Sequence, residues 1–190
     1  LAAEGGRRAL TKHVFTRGFM LVLLGILYNN GLSFDFAHMR YASVLGRIGL
    51  AWMFAALIFM NTKSSKTRFI WFWAILVFYW LLFVVFKAPD FGDPDHYSMK
   101  GNIAGYIDRM LLPGRFCCYE FGDNEGILPT ISAVATGLLG MLTGEFLLSS
   151  MKPMKKVLYM IFAAVLLMTI GQIWNLVFPI NKNLWSSSFV

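Results

Sequence analysis

Residues 68–87, RFIWFWAILVFYWLLFVVFK, hold no charge between Arg68 and Lys87. About 20 such residues, rising 1.5 Å each as a helix, cross the hydrocarbon of a bilayer. A helix satisfies its backbone polar groups internally, and this run adds an almost wholly apolar surface. Four more runs are mostly apolar and about as long: 14–31, with Arg17 near its start, 42–61, with Arg47 inside it, 127–149 and 155–178. Only 14% of the 190 residues are charged, where a soluble domain has about 25%, and 57% are hydrophobic. The expected fold class is therefore all-α: a polytopic membrane helix bundle of about five transmembrane helices. A long extracytoplasmic loop, 88–126, joins the third and fourth runs and contains a short helix.

The net charge of +7 does not point to nucleic acid. The positive residues gather in short segments beside the apolar runs, which is how orientation is written in membrane proteins. Arg7, Arg8 and Lys12 precede the first run. Lys63, Lys66 and Arg68 follow the second, and Lys152, Lys155 and Lys156 follow the fourth. Five crossings place all three groups on one side, assigned to the cytoplasm, so the N-terminal side is cytoplasmic. The loop 88–126 then falls outside with Asp90, Asp93, Asp95, Asp108, Glu120, Asp123 and Glu125.

Trp71, Trp73, Tyr79 and Trp80 read as an interfacial aromatic belt. Gly140 and Gly144 form a G-x-x-x-G pair, which permits close helix approach. Cys117 and Cys118 are neighbours. A bond between them would close a strained ring, so two free thiols are expected. The stretch APDFGDPDHY gathers three Asp around His96 but lacks the calcium-loop spacing, and no metal is expected.

A few polar residues are not explained by membrane insertion. Arg47 lies inside the second run, where an arginine needs a partner or water and points to function. It could hold a phosphate or a carboxylate, or snorkel to the headgroups. Asp108 and Arg109 are adjacent in NIAGYIDRMLLPGRF and point about 100° apart on a helix, so each needs its own partner. Asp108 could serve as a general base, and Arg109 could hold an anion. Alternatively both clamp the loop to the spans as a structural ion-pair network. In DNEGILPTI, Asp123 or Asn124 can cap a helix and Glu125 suits its positive end. In FPINKNLWSSSF, Asn181, Lys182 and Asn183 offer donors and Trp185 a stacking face, suited to a sugar or an adenine. That segment could equally re-enter the membrane with Trp185 as an anchor.

The strings AGYIDRMLL, EGILPTISAVATGLLGMLTGEFLL and PINKNLWSSSFV, in that order, resemble the transmembrane acetyltransferase family of heparan-α-glucosaminide N-acetyltransferase and its bacterial glucosamine N-acetyltransferase relatives. SVLGRIGLAWMFAALI is similar to a further span of that family, with Gly46 where an amide is more usual. The resemblance covers roughly 40–190. It implies that residues 1–190 are part of a single transmembrane acyltransferase domain in a longer chain of about eleven spans. It implies transfer of acetyl from acetyl-CoA, as co-substrate, to the amino group of a glucosamine-type sugar. The family's catalytic histidine belongs to a region ahead of Leu1, and His13, His38 and His96 do not match it. Carried over by analogy, the site is Asp108 as the catalytic residue, with Arg47, Tyr106, Arg109, Glu125, Asn181, Lys182, Asn183 and Trp185 binding substrate or cofactor. Asp108 and Arg109 would then face the ligand from a lid helix whose apolar residues rest on the span ends. The partners implied are an amino-sugar substrate and the lipid bilayer, in a bacterial inner membrane. A homodimer is among the assemblies this reading allows. The alternatives are a membrane acyltransferase acting on a cell-envelope glycan and a transporter without chemistry.

Overall fold

The computed structural model describes residues 4–29, 31–33, 35–36, 38–92 and 95–190, without the side chains at 4, 5, 33, 118 and 119. Asp93 lies outside the described residues. The chain is all-α: α1 (Glu4–Tyr28), a 3-10 turn (Gly31–Ser33), α2 (Val44–Asn61), α3 (Ser65–Val85), α4 (Ile103–Leu111), α5 (Ile127–Leu147) and α6 (Pro153–Trp174). A hairpin pairs β1 (Cys118–Tyr119) with β2 (Gly122–Asp123), antiparallel. Among the described residues, five helices are long and apolar enough to cross a membrane, namely all but α4.

The basic segments meet at one end of the bundle. Arg7 Nη2 donates to Asn61 Oδ1 at 2.6 Å, joining the start of α1 to the end of α2. Ser65 Oγ donates to Glu145 Oε2 at 3.1 Å, joining the start of α3 to the end of α5. Lys156 Nζ reaches the Leu147 carbonyl at 2.6 Å, bringing the start of α6 alongside. The acidic loop and the C-terminal segment occupy the other end.

Helix α1 begins ten residues before the apolar run. Nothing from Arg7 to His13 breaks a helix, so the backbone continues where the apolar pattern has not yet started. Against α2 it comes very close: a Cβ on Gly49 would meet the Gly18 carbonyl oxygen and Leu21 Cβ at 2.7 Å. Only glycine allows that approach. Helices α2 and α5 bury Ala55, Val134 and Leu138 between them, and α3 and α5 bury Phe72, Leu76 and Ala135. No residue of α6 is buried. It meets α3 through Trp174, stacked on Trp73 and edge-on to Trp80.

Tyr79 is not part of an interfacial belt. It is fully buried with Phe83, Ala104, Phe178 and Leu184, and its hydroxyl donates to the Leu184 carbonyl at 2.5 Å. A phenol tolerates that depth because its O–H has a partner. The G-x-x-x-G pair is likewise not a contact among the described residues, none of which comes within 4 Å of a Cβ at Gly140 or Gly144. Gly137, one turn earlier, takes that role against Ala55 at 3.0 Å. Cys117 is disulfide-bonded, so it is not the free thiol the sequence led us to expect.

Beyond Phe178 the chain turns back into the bundle. Ser187 Oγ donates to the Leu76 carbonyl at 2.7 Å and Ser188 Oγ to the Phe178 carbonyl at 2.6 Å. Non-helical backbone survives at such depth only when protein covers it and its polar groups are paired.

Candidate functional site

A polar frame holds the outer end of α5. Arg40 grips Asp123 with two bonds, Nε to Oδ2 at 2.7 Å and Nη2 to Oδ1 at 2.5 Å. The same Nη2 bonds Glu125 Oε2. Asp123 also accepts from the Cys117 and Glu125 amides at 2.8 and 2.9 Å. Burial acts to raise the Asp123 carboxyl, but the Arg40 bond and those amides outweigh it and hold it below its usual value.

Asp108 lies behind this frame, 0% exposed. Its oxygens accept from the Ile127 amide at 2.9 Å and the Asp123 amide at 3.2 Å. The first residue of α5 is therefore capped by a carboxylate from α4. Gly126 stands at the cap position with no side-chain bond of its own, and the Asp123 side chain instead closes a local turn onto Glu125. Burial pushes the Asp108 carboxyl up to about 6, against the two backbone bonds. A Cβ on Gly126 would collide with both Asp108 oxygens. Gly126→Ala is therefore expected to destabilise the fold by about 2 kcal/mol, read as a lower unfolding temperature in detergent. An unchanged temperature would mean the cap is not as tight as described.

Above the frame lies a cleft of about 450 Å³ lined by α2, α5 and the C-terminal segment. Arg47, Glu125, Lys182 and Trp185 meet there, with Trp52 and Thr136 completing the wall. Ser43 starts α2 by accepting from the Gly46 amide at 2.9 Å, so Arg47 falls in the first turn rather than deep in the span. It is 6% exposed, and its guanidinium carbon sits 4.7 Å from the Trp185 ring centre. Its Nε and Nη2 are buried with no hydrogen-bond partner among the described residues. Trp185 is held in place by three groups. Its indole N–H donates to Thr136 Oγ1 at 3.1 Å, its carbonyl accepts from Ser132 Oγ at 2.5 Å, and its amide donates to the Lys182 carbonyl at 3.2 Å. Its φ of 48° is unusual for a side chain of that bulk. Backbone strain of this kind persists only where surrounding contacts over-determine it.

The other residues named from sequence lie elsewhere. Arg109 forms a two-bond pair with Asp90 at 2.8 and 3.0 Å, bonds the Phe121 carbonyl and stacks on Phe91. That is a clamp on the loop, and it turns Arg109 away from the cleft. Helix α4 does rest on the span ends in part, with Ala104 buried against Tyr79 and Phe83 and Ile103 packed beside them, but it does not present Asp108 to the cleft. It buries Ala104, Gly105 and Asp108 and leaves Met110 and Leu111 58% exposed. Paired backbone groups decide this: Asp108 has two amides to satisfy inside, and a buried amide left alone costs about 1–3 kcal/mol. Tyr106 is half-buried on α4 and does not line the cleft. Asn181 shapes the C-terminal turn, accepting from the Asn183 amide at 2.9 Å, and both face a separate small cavity. Arg40 and Thr136 were not singled out from the sequence. Arg40 stands outside the second run, where a loop cation is ordinary, and Thr136 is one of several small residues of α5.

Chemically, the cleft offers one buried guanidinium with two vacant donors, a lysine, a carboxylate and a flat ring. Those groups suit a ligand with an anionic end. Among the described residues, no group of three or more His, Cys, Asp or Glu is placed to hold a metal.

No family model matches the chain. It is similar to heparan-alpha-glucosaminide N-acetyltransferase of Homo sapiens, with 28% identity covering 92% of this chain and 34% of that protein. It is also similar to the Mus musculus protein of the same name, with 35% identity covering 53% of this chain and 18% of that protein. The chain thus spans about a third of the length of the human relative. Both relatives carry the name of the family that the GYIDR and NKNLW strings resemble.

Proposed function

We propose that this chain forms the ligand-binding part of an integral membrane N-acetyltransferase, which moves acetyl from acetyl-CoA to the amino group of a glucosamine-type sugar. The observation that carries the reading is Arg47. A buried guanidinium with vacant donors is costly unless a ligand completes it, and here it faces a cleft with Lys182 at its side. The two cations and the Trp185 ring fit a phosphate-bearing acyl donor. Arg47 and Lys182 would hold its negative charge, and the ring would stack on a flat or apolar part.

Glu125 is the carboxylate of the cleft. Arg40 engages its Oε2 and so holds the side chain beside Arg47. An attacking amine must be neutral and must lose a proton, so a fixed carboxylate nearby is useful. Asp108 supports the site from behind by holding the first amide of α5, so we assign it a positioning role. The gathering of basic segments at the opposite end supports a cytoplasmic N-terminal side, and we place the protein in a bacterial inner membrane.

The test uses the full-length protein in membranes with labelled acetyl-CoA and glucosamine. Arg47→Ala is expected to cut labelled sugar about 100-fold, the loss of roughly 3 kcal/mol from bonds to a charged group. Arg47→Lys should recover part of it. Transfer at the wild-type rate in Arg47→Ala would remove the cleft from the reaction. If the wild type labels no amino sugar, the glucosamine reading itself fails.

A further inference from the structure

Arg17 is a second arginine at membrane depth, and the cleft does not use it. It lies three residues into the apolar run of α1, but it stands beside the middle of α2: Trp52, whose ring it meets, is eight residues from Val44 and nine from Asn61, about 12–14 Å along the helix each way. Its guanidinium carbon sits 4.9 Å from the ring centre of Trp52, near the middle of α2. The side chain therefore stays level with the centre of the bundle and does not run to either rim. It is exposed, and no hydrogen bond or ion pair reaches it among the described residues. Around it α1 exposes Met20, Leu24 and Leu27, which fall on the same face at helical spacing.

A charge at mid-depth, on a face that is apolar from Met20 to Leu27, is not a stable lipid contact. Cation–π contact with Trp52 covers one side of the guanidinium and leaves its donors unsatisfied. Lipid phosphates lie at the bilayer surfaces, out of reach of a side chain held at the centre. A second copy of this chain also lacks the needed group. Within the five candidate spans, Gly6–Tyr28 first, the one acid is Glu145, and it is paired to Arg68 at 2.8 Å near the basic end.

We infer that the exposed face of α1 is covered by a further membrane-spanning helix, outside these 190 residues, that presents a carboxylate to Arg17 at mid-depth. Apolar side chains of that helix pack on Met20, Leu24 and Leu27, and its acid completes the guanidinium. Trp52 is shared between Arg17 and the wall of the cleft, so the covering helix also steadies that wall.

The sign of one stability change separates this from a lipid-facing arginine. In the full-length protein in its own membrane, Arg17→Leu leaves a carboxylate buried without its partner. The unfolding temperature should then fall by about 5 °C or more. Arg17→Lys should retain most of it. If Arg17 faces lipid, the leucine variant is as stable as wild type or more so, and the inference is wrong. A second readout needs no destabilising change: a photo-reactive benzoylphenylalanine at Leu24, with Arg17 intact. Capture of a membrane-helix peptide containing Asp or Glu is expected. Capture of lipid alone, of a helix without an acid, or of α1 from a second copy would overturn it.

Discussion

Arg40→Ala is expected to lower stability by about 3–5 kcal/mol, the usual cost of leaving a buried carboxylate without its cation. Asp123 has 0% side-chain exposure and Arg40 15%, so water cannot replace the lost partner. Two carboxylates depend on the one guanidinium, because Arg40 also bonds Glu125. Its removal leaves Asp123 and Glu125 repelling each other beside the first turn of α5. Thermal unfolding in detergent, or denaturant titration in lipid nanodiscs, would read the loss. Asp123→Asn in the Arg40→Ala background should restore part of it by removing one uncompensated charge. A loss under about 1 kcal/mol in the single variant would place the pair with ordinary surface ion pairs and would undo the frame described here. Because Arg40 fixes Glu125, the acetyl transfer proposed above should fall in the same variant.

The second large effect is a pH dependence with the sign opposite to that of most carboxylates. The Asp108 carboxyl is raised from 3.8 to about 6, chiefly by burial. A raised value in the folded state means that folding favours the protonated form. The contribution of Asp108 is therefore fully present below about pH 4 and is lost as pH rises through about 6, a change of about 3 kcal/mol. Asp123 behaves the other way. Its lowered value gives stability present above its unfolded value of about 4 and lost only as pH falls further. The two are thus separable in pH. Unfolding temperatures of wild type and Asp108→Asn, compared at pH 4.5 and pH 7.5, isolate Asp108. Wild type should gain on the variant at the lower pH. A difference that is the same at both values would mean that the Asp108 carboxyl does not titrate in this range. The variant itself should cost stability at any pH, because an amide offers one acceptor where two backbone amides need one each.

How far the site could be read in advance depends on the distance over which each residue acts. Arg47, Glu125, Lys182 and Trp185 stand out in the sequence because each is out of place beside an apolar run. Their meeting in one cleft depends on α2, α5 and the C-terminal segment packing together, which no local pattern encodes. Arg40 escaped notice for the same reason, since its partner Asp123 is 83 positions away. Asp108 shows the converse. Its adjacency to Arg109 suggested two groups facing a ligand, yet one caps α5 and the other clamps Asp90. A carboxylate facing a substrate and a carboxylate facing two amides look alike until the chain is folded.

What the sequence determined by itself is the membrane architecture: five helices and the basic segments between them. Lipid demands long apolar runs with internally bonded backbone, and that demand is met within each run, so it is written locally. The tertiary structure decided which polar residues are spoken for. Asp108, Arg109 and Asn181 have their partners inside the fold, whereas Arg47 keeps two buried donors unpaired. Hydrogen-bond satisfaction is a property of distant segments brought together, and only their packing shows which charge remains for a ligand.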